Sequence, residues 1–267
     1  METNDISWLN LILGSLILIL PVWIFYFYKT KLVKSIVIAF LRMAVQLFLV
    51  GLYLSYIFEL NSFWLNSVWL VIMVVAACFT VIKRSDLNYR YFLIPVAIGV
   101  LANVIVNIVI FAFIVIGKDH FFNARYLIPI TGMIIGNCLN SAVIGTSSFY
   151  KSLVKDEERY RYYLISGATR NEALFPFFSD ALKAAFNPTI ASTATIGLIW
   201  LPGMMTGQIL GGSNPMTAIK YQILIIFAIF AGGVFTVFLS LFFSEKFAFD
   251  SFDNLNRKAY LADKLKK

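Results

Sequence analysis

Met204 and Met205 stand side by side in an apolar run, with the amide of Gln208 one helical turn beyond them. Two thioethers and an amide suit a soft cation held weakly and released, although methionine more often serves as flexible core filler. Pro202 and Gly203, just before them, break a helix, and broken backbone inside lipid is tolerated where it is buried in protein or lines a cavity. Gly203 and Gly207 also carry the GxxxG spacing of close helix contact. This stretch reads as a translocation path or hinge. Further along the same path we place Asn137 and Asn140, amides in one apolar run, and the pair Arg42 and Gln46, which lie four residues apart on one helix face. A charge at that depth faces a bundle interior or a water-filled path, or else snorkels to the headgroups. None of these groups forms catalytic machinery. His120 is the only histidine, Cys78 and Cys138 sit separately in apolar runs, and no acidic residue lies in the middle of an apolar run. The set can hold and release a solute, and no metal is assigned to it.

The elements that position these residues are read from hydropathy. With 60% hydrophobic and 13% charged residues and a mean hydropathy of +0.81, the 267-residue chain is a polytopic membrane protein. Seven runs approach the roughly 20 residues needed to span a bilayer. They cover residues 7–28, 36–58, 63–82, 92–117, 127–147, 188–210 and 218–243. Backbone in lipid must bond to itself, so the expected fold class is an all-α membrane helix bundle of about seven transmembrane helices. The acidic N-terminus lacks the basic region of a signal peptide, so the first run is expected to remain as a helix.

Charge fixes the expected orientation. Of 22 Lys and Arg, all but Arg42, Lys118, Arg125 and Lys220 fall in alternate gaps, which places the N-terminus outside and the C-terminus in the cytoplasm. The net charge of +8 therefore belongs to membrane topology, and no nucleic-acid partner is implied. A single transmembrane domain, 1–267, is expected, with a cytoplasmic segment at 150–187 and a basic tail at 244–267 lying against anionic lipid. An ion-driven carrier would need intramembrane carboxylates and an internal repeat, and neither is seen.

The segment 150–187 contains Gly167-Ala168-Thr169-Arg170-Asn171-Glu172-Ala173. Gly167 permits a reversal, and Thr169 with Glu172 has capping-box spacing. Because Pro176 follows early, the capped helix is expected to be short and to lie along the membrane surface with an apolar side exposed.

Together with Asn187-Pro188, the run from Leu201 to Leu210, Pro215 and Tyr221-Gln222, these residues resemble the permease subunits of the FetB-type ABC exporters. That family includes bacterial iron-export permeases and plant aluminium-tolerance permeases. Trp200 stands where its pattern has a small residue, which bears on the width of the path. The resemblance implies that Gly167, Ala168, Thr169, Glu172 and Ala173 couple to a separate ABC ATPase, that ATP is bound there, and that the permease is a homodimer in the cell inner membrane. The absence of a GxxxxGK[ST] loop agrees: the chain is expected to bind no cofactor itself and to be a transporter rather than an enzyme. The implied cargo is iron or another metal ion, with an organic substrate such as a nucleotide sugar as the alternative.

Overall fold

A computed structural model describes residues 7–250 and 252–256. Eleven helices occupy the described residues: α1 Trp8–Ser15, α2 Ile19–Phe27, α3 Val33–Leu60, α4 Phe63–Arg84, α5 Tyr89–Ile110, α6 Lys118–Phe121, α7 Ala124–Lys155, α8 Glu157–Ile165, α9 Arg170–Thr195, α10 Gly203–Leu210 and α11 Pro215–Ala248. A 3-10 turn at Leu16–Leu18 joins α1 to α2, and a π-helical turn at Phe111–Val115 extends α5. No strand occurs among the described residues, so the all-helical expectation holds. Loop side chains start several helices. Asn88, Asn123 and Asn214 accept bonds from the backbone N–H of Arg90, Arg125 and Met216, and Pro215 opens α11, where its missing N–H costs nothing.

The centre of the bundle is α5, α7 and α11, flanked by α4 and α9. The antiparallel α5 and α11 make the most extensive contact. Gly99 lies against Thr236 and Ser240, and Gly232 against Asn103, so small residues let the two backbones approach. Several buried polar groups are paired within the bundle: Ser85 Oγ lies 2.8 Å from Thr146 Oγ1, Tyr150 OH 2.6 Å from Ser244 Oγ, and Asn107 Nδ2 donates to Asn103 Oδ1 at 2.7 Å. Left unpaired in lipid, each would cost several kcal/mol.

Three expectations need correction. Among the described residues, six continuous helical stretches are long and apolar enough to cross a membrane, and 188–210 is not one of them: 8–27, 33–60, 63–84, 89–115, 124–155 and 215–248. The expected span 188–210 is instead the end of α9, an irregular segment at 196–202, and α10. Second, the capped helix is not short. It passes through Pro176 and Pro188 and runs 26 residues to Thr195. It packs against α7, burying Ala173, Leu174, Phe177, Ala181, Ala185 and Phe186, so the burial of this face outweighs the one hydrogen bond lost at each proline. Of its leading phenylalanines, Phe175 alone is largely exposed.

Third, the segment beginning at 150 is not all polar surface, since Tyr150 and Leu153 lie in the core. The chain after α11 also folds back. Asp253 accepts from the Tyr160 hydroxyl through its carbonyl (2.9 Å) and pairs with Arg170 Nη1 through its carboxylate (3.0 Å). Burial is the main cause that pushes the Tyr160 phenol up to about 12, so it stays a donor at neutral pH. The lysines expected to touch lipid, Lys258, Lys264, Lys266 and Lys267, lie outside the described residues.

Candidate functional site

The break between α9 and α10 is built by one residue in particular. Gly197 has φ +81°, a conformation that L side chains rarely adopt, and its N–H donates to Trp200 O at 3.0 Å. The chain thereby reverses locally and Pro202 starts α10. A cavity of about 230 Å³ opens at this point, walled by α7, α9, α10 and α11. Met133 and Asn137 come from α7, Thr189, Ser192 and Thr193 from α9, Ile196, Trp200 and Pro202 from the break, Gly203 and Met204 from α10, and Gln222, Ile226 and Ile229 from α11.

Its polar groups are oriented by their own helices. Asn137 Nδ2 donates to Met133 O (2.8 Å), and Ser192 Oγ and Thr193 Oγ1 donate to Thr189 O (2.9 and 2.8 Å). With those protons committed, Asn137 Oδ1 and the two hydroxyl oxygens remain as acceptors. Gln222 is buried and its Oε1 has no partner. Trp200 Nε1 donates to Thr195 Oγ1 (3.2 Å), so the bulky ring is anchored at the rim. No group of three or more His, Cys, Asp or Glu is placed to hold a metal among the described residues.

The structure brings together Asn137, Pro202, Gly203 and Met204, and it separates others from them. Met205 is buried and Gln208 half-buried, and neither lines the cavity; the consecutive methionines point apart because neighbouring residues in a helix do not share a face. Gly203 and Gly207 do not make the close contact expected of them: a Cβ at either meets open space within the chain. Asn140 accepts from Arg84 Nη1 at 3.3 Å, one turn along α7 from Asn137. Arg42 and Gln46 are exposed on α3, which meets the rest of the bundle near its other end, where Ile57 is buried, so they do not join the cavity. Sequence reasoning missed Gln222, Ser192, Thr193 and Arg84. The signal available was the hydroxyl-rich run from Thr189 to Thr195.

At the other end of α9, Thr169 and Glu172 form the expected capping box. Thr169 N donates to Glu172 Oε2 at 2.8 Å, and Glu172 N donates to Thr169 Oγ1 at 3.4 Å. The bond from the Thr169 backbone, helped by its hydroxyl, holds the Glu172 carboxyl below the usual carboxylate range, so the cap is complete at neutral pH and is lost only as pH falls through that depressed value. Gly167, Thr169 and Glu172 are exposed and Ala168 half-exposed, whereas Ala173 is fully buried against the bundle and cannot belong to a docking surface.

The family profile described as "Uncharacterised protein family (UPF0014)" matches residues 8–249, nearly all of the described chain. The chain belongs to UPF0014. Its relatives include UPF0014 membrane protein YjkA of Bacillus subtilis, 30% identical over 230 residues, covering 86% of this chain and 90% of that one. The probable iron export permease protein FetB of Escherichia coli is 27% identical over 252 residues, covering 94% and 95%. The protein ALUMINUM SENSITIVE 3 of Arabidopsis thaliana is 28% identical over 230 residues, covering 83% of each chain. No solved structure matches. The residues matched by the family profile, 8–249, include the helix break, the cavity lining and the capping box.

Whether the break acts as a hinge has a direct test. Gly197→Val places a β-branched residue at φ +81°, which costs more than the roughly 1–2 kcal/mol of an ordinary left-handed residue. The protein should still be extracted from membranes, with a melting temperature a few degrees lower, and substrate transport should fall at least tenfold. Transport at the wild-type rate would show that the reversal at 197 is dispensable.

Proposed function

We propose that this UPF0014 membrane protein is the permease subunit of an ATP-binding cassette exporter of iron, another metal ion or a small metal-linked substrate, driven by ATP hydrolysed on a separate subunit. The observation that carries this reading is the continuity of α9. One uninterrupted helix has its capped, exposed N-terminus at Thr169 and Glu172 and its hydroxyl residues Ser192 and Thr193 in the cavity wall, about 35 Å away at 1.5 Å per residue. A helix is stiff along its axis, so a push at the capped end reaches the cavity. That is the linkage an ATP-driven pump requires, and the name of the Escherichia coli relative agrees with export.

Docking would involve Gly167, Ala168, Thr169 and Glu172, with Ala173 seating the helix on the bundle. The capped end lies with Lys155, Arg159, Arg161 and Arg170, and that basic end would face the cytoplasm of a bacterial inner membrane, leaving the N-terminus outside. Two copies would stand side by side. In support, Arg84, Asn137, Asn140, Ser192 and Thr193 are all exposed on one chain, although a polar face in lipid is expensive unless a second protein surface or a water-filled path covers it.

The test is to express the chain with an ABC ATPase encoded beside it. Affinity capture of the permease should retain the ATPase, and reconstitution should raise its hydrolysis rate severalfold. An ATPase that neither co-purifies nor responds would exclude this reading.

A further inference from the structure

Two sets of unused hydrogen-bonding groups belong to residues that line the cavity at the helix break. The first belongs to α10. Its N-cap residue, Pro202, supplies no side-chain bond, and the N–H of Thr206 is the first to reach back, to Pro202 O at 3.0 Å. The N–H groups of Gly203, Met204 and Met205 therefore have no intrahelical partner, and Gly203 and Met204 line the cavity. The second set is oxygen. Gln222, only 6% exposed, has an unpartnered Oε1, while the Ser192 and Thr193 hydroxyls have committed their protons to backbone carbonyls and Asn137 has committed one of its two N–H groups, leaving its Oδ1 free to accept.

Charge decides which ligand satisfies both sets. No carboxylate lines the cavity, so a bare divalent cation would meet the positive end of α10 with nothing to neutralise it. Arg84, bonded to Asn140 one turn from Asn137, adds a further positive charge beside the amide face. An oxyanion, in contrast, finds uncapped N–H groups and a favourable dipole. Hydroxyl groups on the same ligand can donate to Gln222 Oε1 and to the oxygens of Asn137, Ser192 and Thr193. We infer that the cavity binds a small hydroxycarboxylate-type anion, either free or as the chelating shell of a metal, and excludes a bare divalent cation. The inference deepens the transport reading above and rests on it for the role of the cavity, but the binding itself requires no ATPase.

The test uses the purified full-length protein in detergent without any ATPase, with three probes: radiolabelled citrate, the ferric citrate complex, and Mn²⁺ alone. Citrate or its ferric complex should bind saturably and Mn²⁺ should not. Tighter binding of the ferric complex identifies the chelate as cargo, and equal or weaker binding identifies the free acid; either result supports the inference. Gln222→Leu and Asn137→Leu should each weaken binding at least tenfold. Should Gln222→Leu fail to fold, the nearly isosteric Gln222→Glu serves in its place and should repel the anion to a similar degree. Absence of saturable binding by both citrate probes would overturn the proposal, as would binding unchanged in the Gln222 and Asn137 variants, or Mn²⁺ binding that Gln222→Glu strengthens. Citrate binding that persists in a protein unable to engage any ATPase would count against the ABC reading and leave this one standing.

Discussion

Gly99→Val should leave almost no folded protein to extract. A Cβ at position 99 would lie 2.5 Å from Ser240 Oγ and 2.6 Å from the backbone oxygen of Thr236, and the second of these cannot rotate away. The clash falls at the centre of the α5 and α11 contact, which organises the bundle, and Asn103 fills the equivalent space one turn on, against Gly232. Overpacking a dense core usually costs about 1–3 kcal/mol, and more where backbone must separate. Against a total stability of only about 5–15 kcal/mol, that loss is decisive. Size-exclusion profiles of detergent extracts would read the result, with Gly14→Val as the control because a Cβ there meets open space. A monodisperse Gly99→Val peak at the wild-type level would show that α5 and α11 are not held in close contact.

The second large effect is functional. Glu172→Lys should leave the bundle folded and eliminate stimulation of a partner ATPase, with at least a tenfold fall in coupled hydrolysis. The substitution removes the carboxylate that accepts from Thr169 and puts a cation at the positive end of α9, yet the buried face of that helix from Ala173 to Phe186 is untouched. Folding and coupling should therefore separate, as measured by an unchanged size-exclusion profile beside hydrolysis in reconstituted vesicles. Wild-type stimulation by the variant would remove Glu172 from the docking surface.

Local chemistry made much of this protein legible. Hydropathy alone sets the helical class, because lipid leaves the backbone no partner but itself. Thr169 and Glu172 disclosed the cap because both partners of a capping box lie within four residues. Pro202 and Gly203 disclosed the break in the sixth apolar run for a similarly local reason. The misreadings came where a distant surface decided the outcome. Pro176 argues for a short helix, but the face α9 buries against α7 carries it through to Thr195. Met204 and Met205 look like a pair in sequence, and only the helix phase of α10 puts one toward the cavity and not the other.

What the sequence by itself determined is the membrane setting, the positions of most helices, the capped start of α9 and the existence of a helix break. Each rests on interactions within a few residues or on solvent. What only the tertiary structure decided is the cavity: that Asn137, Ser192, Thr193, Gly203 and Gln222, drawn from four helices, meet in one place, and that Arg42 and Gln46 do not join them. Such a convergence depends on which helix faces pack together, and in this bundle that is set by close approaches such as Gly99 against Thr236, whose partners are separated by more than half the chain.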